Sequence, residues 1–574
     1  MKKILTVCLF CLLSLVHYAV IAASPPLTLA NQIMGADGEV LRNILEGLNR
    51  EQAQYPSLSS SEIQHFYQQS PKFIQQAVQP FGYFKAKIHS FLTHKGNTWV
   101  AQHRINLGPA LKITRIHLSI VGPGRQDAAL QKLMTQFPLH PGDIFASQSY
   151  SQAKQFLIDH AVQASYINAH FQKSQVNISL ARYQADIFLR LDTGPRYLFG
   201  PVYFSPTHFS QDFLKRFVNF RTGEPYNASK LKDLQQRLDD SHSFQEIEII
   251  PDLEKSTQDS IPIKIRLKPT KSKEYLMGLG YGTDTSARGQ LSFKFPQLGH
   301  NGEQIKGLMK ASNAYSKLIA SYSIPGADPV TSHYTLSASM EHQIQNIGKS
   351  TTAALIASYT RQLKNNWEQT LSLNLMNDQS TVANQNTLAS NLLLFPSVNW
   401  LKLKTDDVLN PNKGYRLVIN LLGSSENALS SMRFLQMQVG IKSVRRLSEN
   451  NRLVLHGTLG HTEVSDLNRL PLSLRFYTGG SQSMRAYSYR SIGPGRELFE
   501  ASAEIQHQLY RSWYMGVFYD MGNVSEKLLP TLKRGLGTAL IWLSPVGAVQ
   551  LSLAKALDAP GKPLRIQFNM GPDL

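Results

Sequence analysis

The chain has 574 residues, and its 59 lysines and arginines outnumber its 40 aspartates and glutamates, which gives a formal net charge of +19. Its two cysteines are Cys8 and Cys11. Structural disulfides, thiolate metal centres and cysteine nucleophiles are therefore excluded from the rest of the chain.

An export signal is predicted over residues 1–23. Lys2 and Lys3 precede a short apolar run that ends in two alanines. A charged start, an apolar middle and small residues at the exit are typical of a secretory signal, and the run is short for a membrane anchor. Export makes nucleic acid an unsuitable partner, so we assign the positive charge to contacts with membrane lipid and anionic lipopolysaccharide.

No later segment predicts a transmembrane helix. The nearest candidate, residues 539–557, is broken by a Ser-Pro-Val-Gly turn at 544–547 and carries Gln550 and Lys555. Such an interruption suits two strands joined by a turn. Because every backbone polar group must be paired inside lipid, a closed β-barrel is the remaining membrane-spanning form.

Residues 24–270 contain one unit three times. In each unit a polar helical stretch leads through a turn with an aromatic residue into a strand, at intervals of about 80 residues. These turn-and-strand segments are residues 81–88, 164–171 and 243–249. A Gly-Pro pair that precedes a strand occurs at Gly108 and again at Gly194.

Three small α+β domains follow from these repeats. We place their boundaries at 24–110, 111–193 and 194–270. Helical periodicity at 149–164 and 228–240 predicts helices that pack on one face of each small sheet. A single α+β domain with accidental internal similarity is the alternative.

Residues 271–574 alternate apolar and polar side chains in one run after another. In one such run Tyr334, Leu336 and Met340 alternate with polar residues. Roughly sixteen runs have the length of a tilted membrane crossing, which predicts a sixteen-stranded antiparallel transmembrane β-barrel. A soluble sandwich with its apolar faces inward is the alternative. Aromatic residues expected at the membrane interfaces are Tyr275, Trp367, Trp400, Trp513 and Tyr514.

The sequence carries no catalytic signature. The HExxH, GxxxxGK[ST] and GxSxG patterns are all absent, and the 17 histidines are dispersed. We therefore expect a protein that is not an enzyme and that binds neither a cofactor nor a metal.

Two motifs interrupt the alternation. The first lies in a long loop, residues 475–494, and consists of Met484, Arg485, Ala486 and Tyr487. The second lies on a late strand and consists of Phe518, Asp520 and Gly522. Together they resemble the outer-membrane assembly and two-partner-secretion superfamily, whose hallmarks are a VRG[FY] loop motif and an FxDxG strand motif.

The resemblance implies that the loop folds back into the barrel and that Arg485 pairs there with Asp520, with Phe518 and Gly522 shaping the contact. An arginine offers a fixed fork of donors to a carboxylate, and partial shielding from water strengthens the pair.

The chain departs from the family pattern at two positions of the loop motif. Met484 stands where valine or isoleucine is common, and Ala486 stands where glycine is usual. If that glycine adopts a positive φ, alanine alters the local backbone geometry. The turn at 406–414 and the hairpin at 544–547 otherwise resemble the family's mid-barrel turn and late hairpin.

Three repeats ahead of a sixteen-stranded barrel resemble the TamA-type translocation and assembly subunits within this superfamily. The repeats are then POTRA domains in the periplasm of a Gram-negative cell. The resemblance implies a TamB-like periplasm-spanning partner and unfolded outer-membrane clients such as autotransporters, which are inserted or secreted without a nucleotide. A two-partner-type secretion pore and a passive diffusion channel are the alternatives.

The barrel is expected to close between its first strand, residues 275–283, and its last strand, which contains Ile566, Phe568 and Met570. The first strand has side-chain-free positions at Gly278, Gly280 and Gly282, which weaken it. Such a seam is able to open sideways and offer unpaired backbone groups to a client strand. In the alternative interpretation, the glycines merely relieve crowding beneath an aromatic residue.

Overall fold

The computed structural model describes ten stretches of the chain: residues 27–55, 59–256, 259–282, 286–345, 347–382, 388–407, 410–426, 429–527, 531–544 and 547–571. The predicted export signal lies outside these described residues. The chain divides into two compact units, of which the first holds residues up to 201 with 222–228 and 252–262, and the second holds residues 202–221, 229–251 and 263 onward.

The first repeat is a three-stranded sheet with two helices. Its elements are β1 (Thr28–Met34), α1 (Gly38–Gln52), α2 (Ser60–Val78), β2 (Lys87–Lys95) and β3 (Thr98–Asn106). The strand order is β1-β3-β2, with β1 parallel and β2 antiparallel to β3. A capping box starts α2, because Ser59 Oγ accepts from the Glu62 amide at 3.3 Å while Glu62 Oε2 accepts from the Ser59 amide at 2.7 Å.

The second repeat has the same plan. Its elements are β4 (Lys112–Val121), α3 (Ala128–Thr135), α4 (Ser147–Gln163), β5 (His170–Ser179) and β6 (Gln184–Asp192), with strand order β4-β6-β5. Leu157 of α4 and Ile187 and Leu189 of β6 are at most 1% exposed and share one core cluster. As predicted, the helix packs on one face of the small sheet.

The third repeat consists of β7 (Leu198–Phe204), α5 (Gln211–Lys215), α6 (Ala228–Asp240), β8 (Phe244–Pro251) and β9 (Ser260–Pro269), with strand order β7-β9-β8. Leu231, Leu234 and Leu238 are buried at helical spacing on α6. Within the second unit, Arg237 of this helix makes a two-pronged ion pair with Asp328, at 3.0 and 3.2 Å.

A left-handed residue ends the helical segment of each repeat, and this gives the sequence repeat a physical basis. Gly82, Ser165 and His242 have φ values of 89°, 79° and 51°. At Gly82 a Cβ atom would lie 2.5 Å from the Phe145 carbonyl oxygen, so glycine is required there. The other two repeats place side chains in the same conformation, which L residues adopt at a cost.

Among the described residues of the second unit, sixteen strands form one antiparallel sheet. They are β10 (Glu274–Gly282), β11 (Ser286–Phe295), β12 (Gln304–Ser312), β13 (Tyr315–Pro325), β14 (Ser332–Gln345), β15 (Gly348–Gln362), β16 (Trp367–Val382), β17 (Leu388–Thr405), β18 (Lys413–Ser424), β19 (Phe434–Arg446), β20 (Asn451–Val464), β23 (Glu497–Tyr510), β24 (Trp513–Ser525), β25 (Lys533–Ser544), β26 (Gly547–Ala556) and β27 (Leu564–Gly571). Neighbours in the chain are neighbours in the sheet. The short strands β21 (Phe476–Thr478) and β22 (Ile492–Gly495) pair with each other inside the long connection between β20 and β23.

The apolar face of this sheet points outward. Leu336, Met340 and Ile505 are 55–58% exposed, whereas Glu504 and Gln506, which flank Ile505 in the sequence, are at most 4% exposed. A soluble sandwich would reverse this arrangement, because its apolar faces would be buried against each other. The alternation therefore belongs to a barrel with a polar interior, as predicted.

One expected interfacial aromatic residue is placed differently. Trp513 is 43% exposed and stacks on Trp542, but Tyr514 is 9% exposed and faces the interior. The prediction for Tyr514 was wrong because adjacent residues of a strand point to opposite faces, so both cannot face lipid. Trp400 lies within β17 opposite Gln369, two residues along β16 from Trp367.

Among the described residues, no helix combines the length and the apolar character that a membrane span requires.

Candidate functional site

The long connection between β20 and β23 is anchored to the inner barrel wall by Arg485. Its Nε and its backbone N–H donate to Asp520 Oδ2, both at 3.0 Å, and its Nη2 donates to Asp520 Oδ1 at 2.7 Å. Arg485 is 7% exposed and Asp520 is 0% exposed. The structure thus brings together the loop arginine and the strand aspartate in a two-pronged, charge-assisted contact.

Residues Phe518 and Gly522 flank Asp520 on the inward face of β24. The Arg485 guanidinium lies 3.3 Å from the centre of the Phe518 ring, a cation–π contact. At Gly522 a Cβ atom would lie 2.5 Å from the Phe499 carbonyl oxygen and 3.3 Å from Met484 Sδ. The strand motif therefore contacts the loop in three ways: Asp520 pairs with the arginine charge, the Phe518 ring packs on the guanidinium, and Gly522 leaves room for Met484.

The alanine at 486 fits without backbone strain. Among the described residues, Ala486 is absent from those with a positive φ, so the usual glycine is not needed here for conformation. The Ala486 side chain lies against Gly535 of β25, where an added Cβ would come within 2.8 Å of the Ala486 methyl group. Met484 and Tyr487 are also buried, and the Tyr487 hydroxyl donates to the Arg534 carbonyl at 3.2 Å.

Sequence reasoning missed a second carboxylate at this site. Glu504 of β23 is 4% exposed and accepts from Arg485 Nη1. Ser502 on the same strand accepts from Arg485 Nη2 at 3.0 Å and donates to Asp520 Oδ1 at 2.7 Å. The alternation of β23 indicates that Ser502 and Glu504 share a face, but the register that sets Ser502 opposite Asp520 is not visible in the sequence.

A second anchor holds the same connection elsewhere on the wall. Ser473 donates to Asp378 Oδ2 at 3.0 Å. Asp378 is fully buried and also accepts from Ser350, Thr352 and Ser380, at 2.6 to 2.8 Å. A buried carboxylate without hydrogen-bond donors is costly, and these hydroxyls complete the hydrogen bonding of Asp378.

The seam lies between β10 and β27, the two end strands of the sheet. Their Cα atoms come within 8 Å of each other, yet among the described residues they lack the hydrogen-bonded ladder that joins every other neighbouring pair. Gly278, Gly280 and Gly282 occupy one face of β10, where Gly278 is opposite Gln290 and Gly280 is opposite Arg288.

The opposite face of β10 carries Met277 and Leu279, which are 76% and 87% exposed. On β27 the residues Ile566 and Met570 are 58% and 43% exposed, and Phe568 lies on the same face between them. The interior face of β27 includes Asn569, whose side chain accepts from Gln482 of the loop. The loop therefore contacts one of the two seam strands directly.

Among the described residues, no group of three or more His, Cys, Asp or Glu side chains is arranged to hold a metal ion.

Comparison with known families agrees with this geometry. The family model described as the Omp85 superfamily domain matches residues 277–573, just over half of the chain. The chain belongs to the Omp85 superfamily. A second model, described as POTRA domain TamA domain 1, matches residues 31–107, within the first repeat. This member of the Omp85 superfamily is therefore an outer-membrane protein with its POTRA domains in the periplasm.

The solved structures to which the chain is similar have low sequence identity to it. BamA from Haemophilus ducreyi lacking POTRA domains 1–3 is 17% identical, with a TM-score of 0.68 over 80% of this chain and 99% of that chain. CdiB from Acinetobacter baumannii is 13% identical, with a TM-score of 0.48 over 80% and 90% of the two chains. CdiB from Escherichia coli is 14% identical, with a TM-score of 0.47 over 89% and 98%.

The family assignment carries a general function. As an Omp85 protein with POTRA domains, the chain acts in insertion or secretion of proteins at the outer membrane.

Proposed function

We propose that this protein is a TamA-type assembly factor that inserts or secretes β-rich clients such as autotransporters by lateral opening of the seam between β10 and β27. It acts without enzymatic chemistry and without a cofactor. The proposal rests on the absence, among the described residues, of a hydrogen-bonded ladder between β10 and β27. Two strand edges whose N–H and C=O groups are not paired with each other are able to template an incoming strand.

The glycines of β10 support the same mechanism. Gly278, Gly280 and Gly282 present no side chains on one face, so little packing resists separation of β10 from β27. Opening costs correspondingly less here than at a fully paired position such as β16 and β17. The anchored loop inside the barrel also favours an assembly factor over a passive diffusion channel, since it occupies part of the interior.

The partner is proposed to be a TamB-like periplasm-spanning protein. The match of the first repeat to a TamA-type POTRA model supports this choice. Each POTRA sheet has two edge strands, as in the order β1-β3-β2, and these edges suit partner binding by strand addition.

A disulfide lock tests lateral opening. Cysteine pairs that scan residues 276–279 of β10 against 566–570 of β27 are oxidised, and client insertion is measured in vesicles. The natural chain adds no background thiols beyond Cys8 and Cys11. We expect client insertion to fall at least about tenfold when the seam disulfide is oxidised, because strand addition needs an open edge. Insertion is expected to recover when a reductant cleaves the disulfide.

The control lock joins an ordinary ladder. Ser321 and Ser337 lie opposite each other on β13 and β14, with their hydroxyl oxygens 2.8 Å apart. Insertion by a barrel oxidised at Ser321→Cys and Ser337→Cys is expected to match that of the wild type. Undiminished insertion with the seam locked would rule out lateral opening, and secretion of a soluble exoprotein through that locked barrel would favour a secretion pore.

A further inference from the structure

A continuous line of buried polar side chains leads away from Arg485 along the inner barrel wall. Glu504 accepts from Arg485 with one oxygen, and its Oε1 accepts from Gln506 Nε2 at 2.6 Å. The side-chain oxygen of Gln506 in turn accepts from Arg452 Nε. All four residues are 7% exposed or less, so each link is shielded from water and matters more than it would at the surface.

The line ends at the turn that connects β17 and β18. Arg452 lies directly opposite Gln506 in the β20–β23 ladder, and its Nη1 donates to the Pro411 carbonyl at 3.1 Å. The guanidinium also lies 4.9 Å from the centre of the Tyr514 ring. The Tyr514 ring, which strand alternation places on the interior face, therefore packs on this arginine.

The turn that Arg452 reaches is itself well fixed. Asp406 Oδ1 accepts from the backbone amides of Asn412 and Lys413, both at 3.1 Å. Asn410 Nδ2 donates to the Ser544 carbonyl at 3.0 Å, at the end of β25. A displacement of this turn would therefore disturb two contacts, the Arg452 bond to the Pro411 carbonyl and the Asn410 bond to the end of β25.

The charges along the line are matched. Arg485 contacts both carboxylates, Asp520 and Glu504. Gln506 is the neutral link between Glu504 and the second arginine, Arg452. An arginine fork fixes direction as well as charge, which a lysine in the same place does not. Arg452 is therefore suited to transmit position and not only to balance charge.

We propose that Arg452 is a positioning residue that couples the Arg485 loop anchor to the described residues of the β17–β18 turn, 406–407 and 410–413, so that the loop and the turn are held or released together. The coupling is a property of the barrel itself. Its use in client insertion rests on the proposed function.

Hydrogen exchange of the full-length protein in lipid vesicles, without any client, tests the coupling. In Arg452→Met, the backbone amides of the loop segment 479–490 are expected to exchange at least about fivefold faster than in the wild type. Fivefold is the lower end of typical coupling between two sites. Gln506→Met keeps both arginines and cuts the link between them, so it is expected to have the same effect on the loop. The double variant is expected to exchange no faster than either single variant, because both changes break one line.

A matched control is available on the neighbouring strand. Arg446 of β19 donates to the carbonyls of Ser448 at 3.2 Å and Glu449 at 2.6 Å in its own turn. Arg446→Met is expected to loosen that turn and leave the loop unchanged. Arg452→Lys keeps the charge but not the fork, and is expected to accelerate loop exchange as Arg452→Met does.

Several outcomes would overturn the coupling. One is faster exchange confined to the turn at 406–413 in Arg452→Met, and another is additive loop acceleration in the double variant. If Arg452→Met fails to form a heat-modifiable barrel, Gln506→Met carries the test alone, and an unchanged loop in that variant overturns the proposal. If the loop exchanges faster in these variants as expected, but client insertion is undiminished with the seam disulfide oxidised, only the proposed function is refuted.

Discussion

The POTRA repeats and the barrel use the same two-residue alternation with opposite polarity. On β6 the apolar residues Ile187 and Leu189 are buried, and the polar residues on either side of this pair, Asp186 and Arg190, face away from the core. On β14 the apolar residues Leu336 and Met340 are exposed, and Ser337 is buried. A strand pattern therefore defines two faces, and the surroundings decide which face is the inner one.

The two regions also differ in what fills their interiors. The second repeat is held by packed aliphatic and aromatic side chains around residues such as Leu157. The barrel wall near the loop is held by charges and amides, with Arg485, Asp520 and Glu504 all buried. Apolar packing is non-directional, whereas a buried ionic network has a required geometry, so we expect the barrel site to tolerate change less well.

The largest effect is expected when the buried ion pair is broken. Asp520→Ala leaves the Arg485 charge buried without its main partner, which is expected to cost about 3–5 kcal/mol. The measurement is the unfolding free energy of the barrel in detergent. The folded fraction is read from the change in gel mobility that unfolding by heat produces.

An exposed pair of the same geometry serves as the control. Arg534 donates to Asp558 with Nε at 3.1 Å and Nη2 at 2.8 Å, but the Arg534 side chain is 52% exposed. Asp558→Ala is expected to lower the unfolding free energy far less than Asp520→Ala does, because water screens an exposed ion pair. Equal losses in the two variants would show that burial is not what distinguishes the loop anchor.

A smaller effect is expected from charge on the outward face. Leu355 lies at the middle of β15 and is 53% exposed, while Phe91 of the first repeat is 60% exposed. Leu355→Lys is expected to destabilise the barrel in lipid by about 2–4 kcal/mol, because a lysine at the bilayer midplane is costly. Phe91→Lys is expected to change stability by no more than about 0.5 kcal/mol.

Paired unfolding measurements in vesicles check this contrast. The two residues are similarly exposed and differ in what surrounds them, so a similar cost at both positions would contradict the assignment of the outward barrel face to lipid.

The smallest effect is a pH dependence within the first repeat. His103 is 0% exposed, its Nδ1 lies 2.8 Å from Ser90 Oγ, and burial lowers the pKa of His103 below its ordinary value of 6.5. The unfolded state then binds the proton first as the pH falls. The stabilisation by neutral His103 is thus fully present above about pH 6.5 and is progressively lost below it.

Hydrogen exchange of β3 in the full-length protein, corrected for intrinsic rates, is the measurement. We expect protection to fall between about pH 6.5 and about pH 5.5 in the wild type and to fall less in His103→Gln. His89 is exposed on β2, and His89→Gln is expected to retain the wild-type response. An identical pH response in His103→Gln and the wild type would remove His103 as the cause.

The sequence by itself determined the class of the molecule. The period-two runs, their number and their length specify a sixteen-stranded sheet, because strand geometry is local. The loop and strand motifs identified Arg485 and Asp520 as a pair, and the three glycines of the first strand could be read directly.

The tertiary structure alone decided which other side chains meet. Glu504, Gln506 and Arg452 join the loop anchor through cross-strand register, and the Tyr514 ring packs on Arg452 inside the barrel. Likewise, Ser473 reaches Asp378 across many intervening residues. Register and loop path are set by hydrogen bonds between distant segments, which leave no periodic trace in either segment alone.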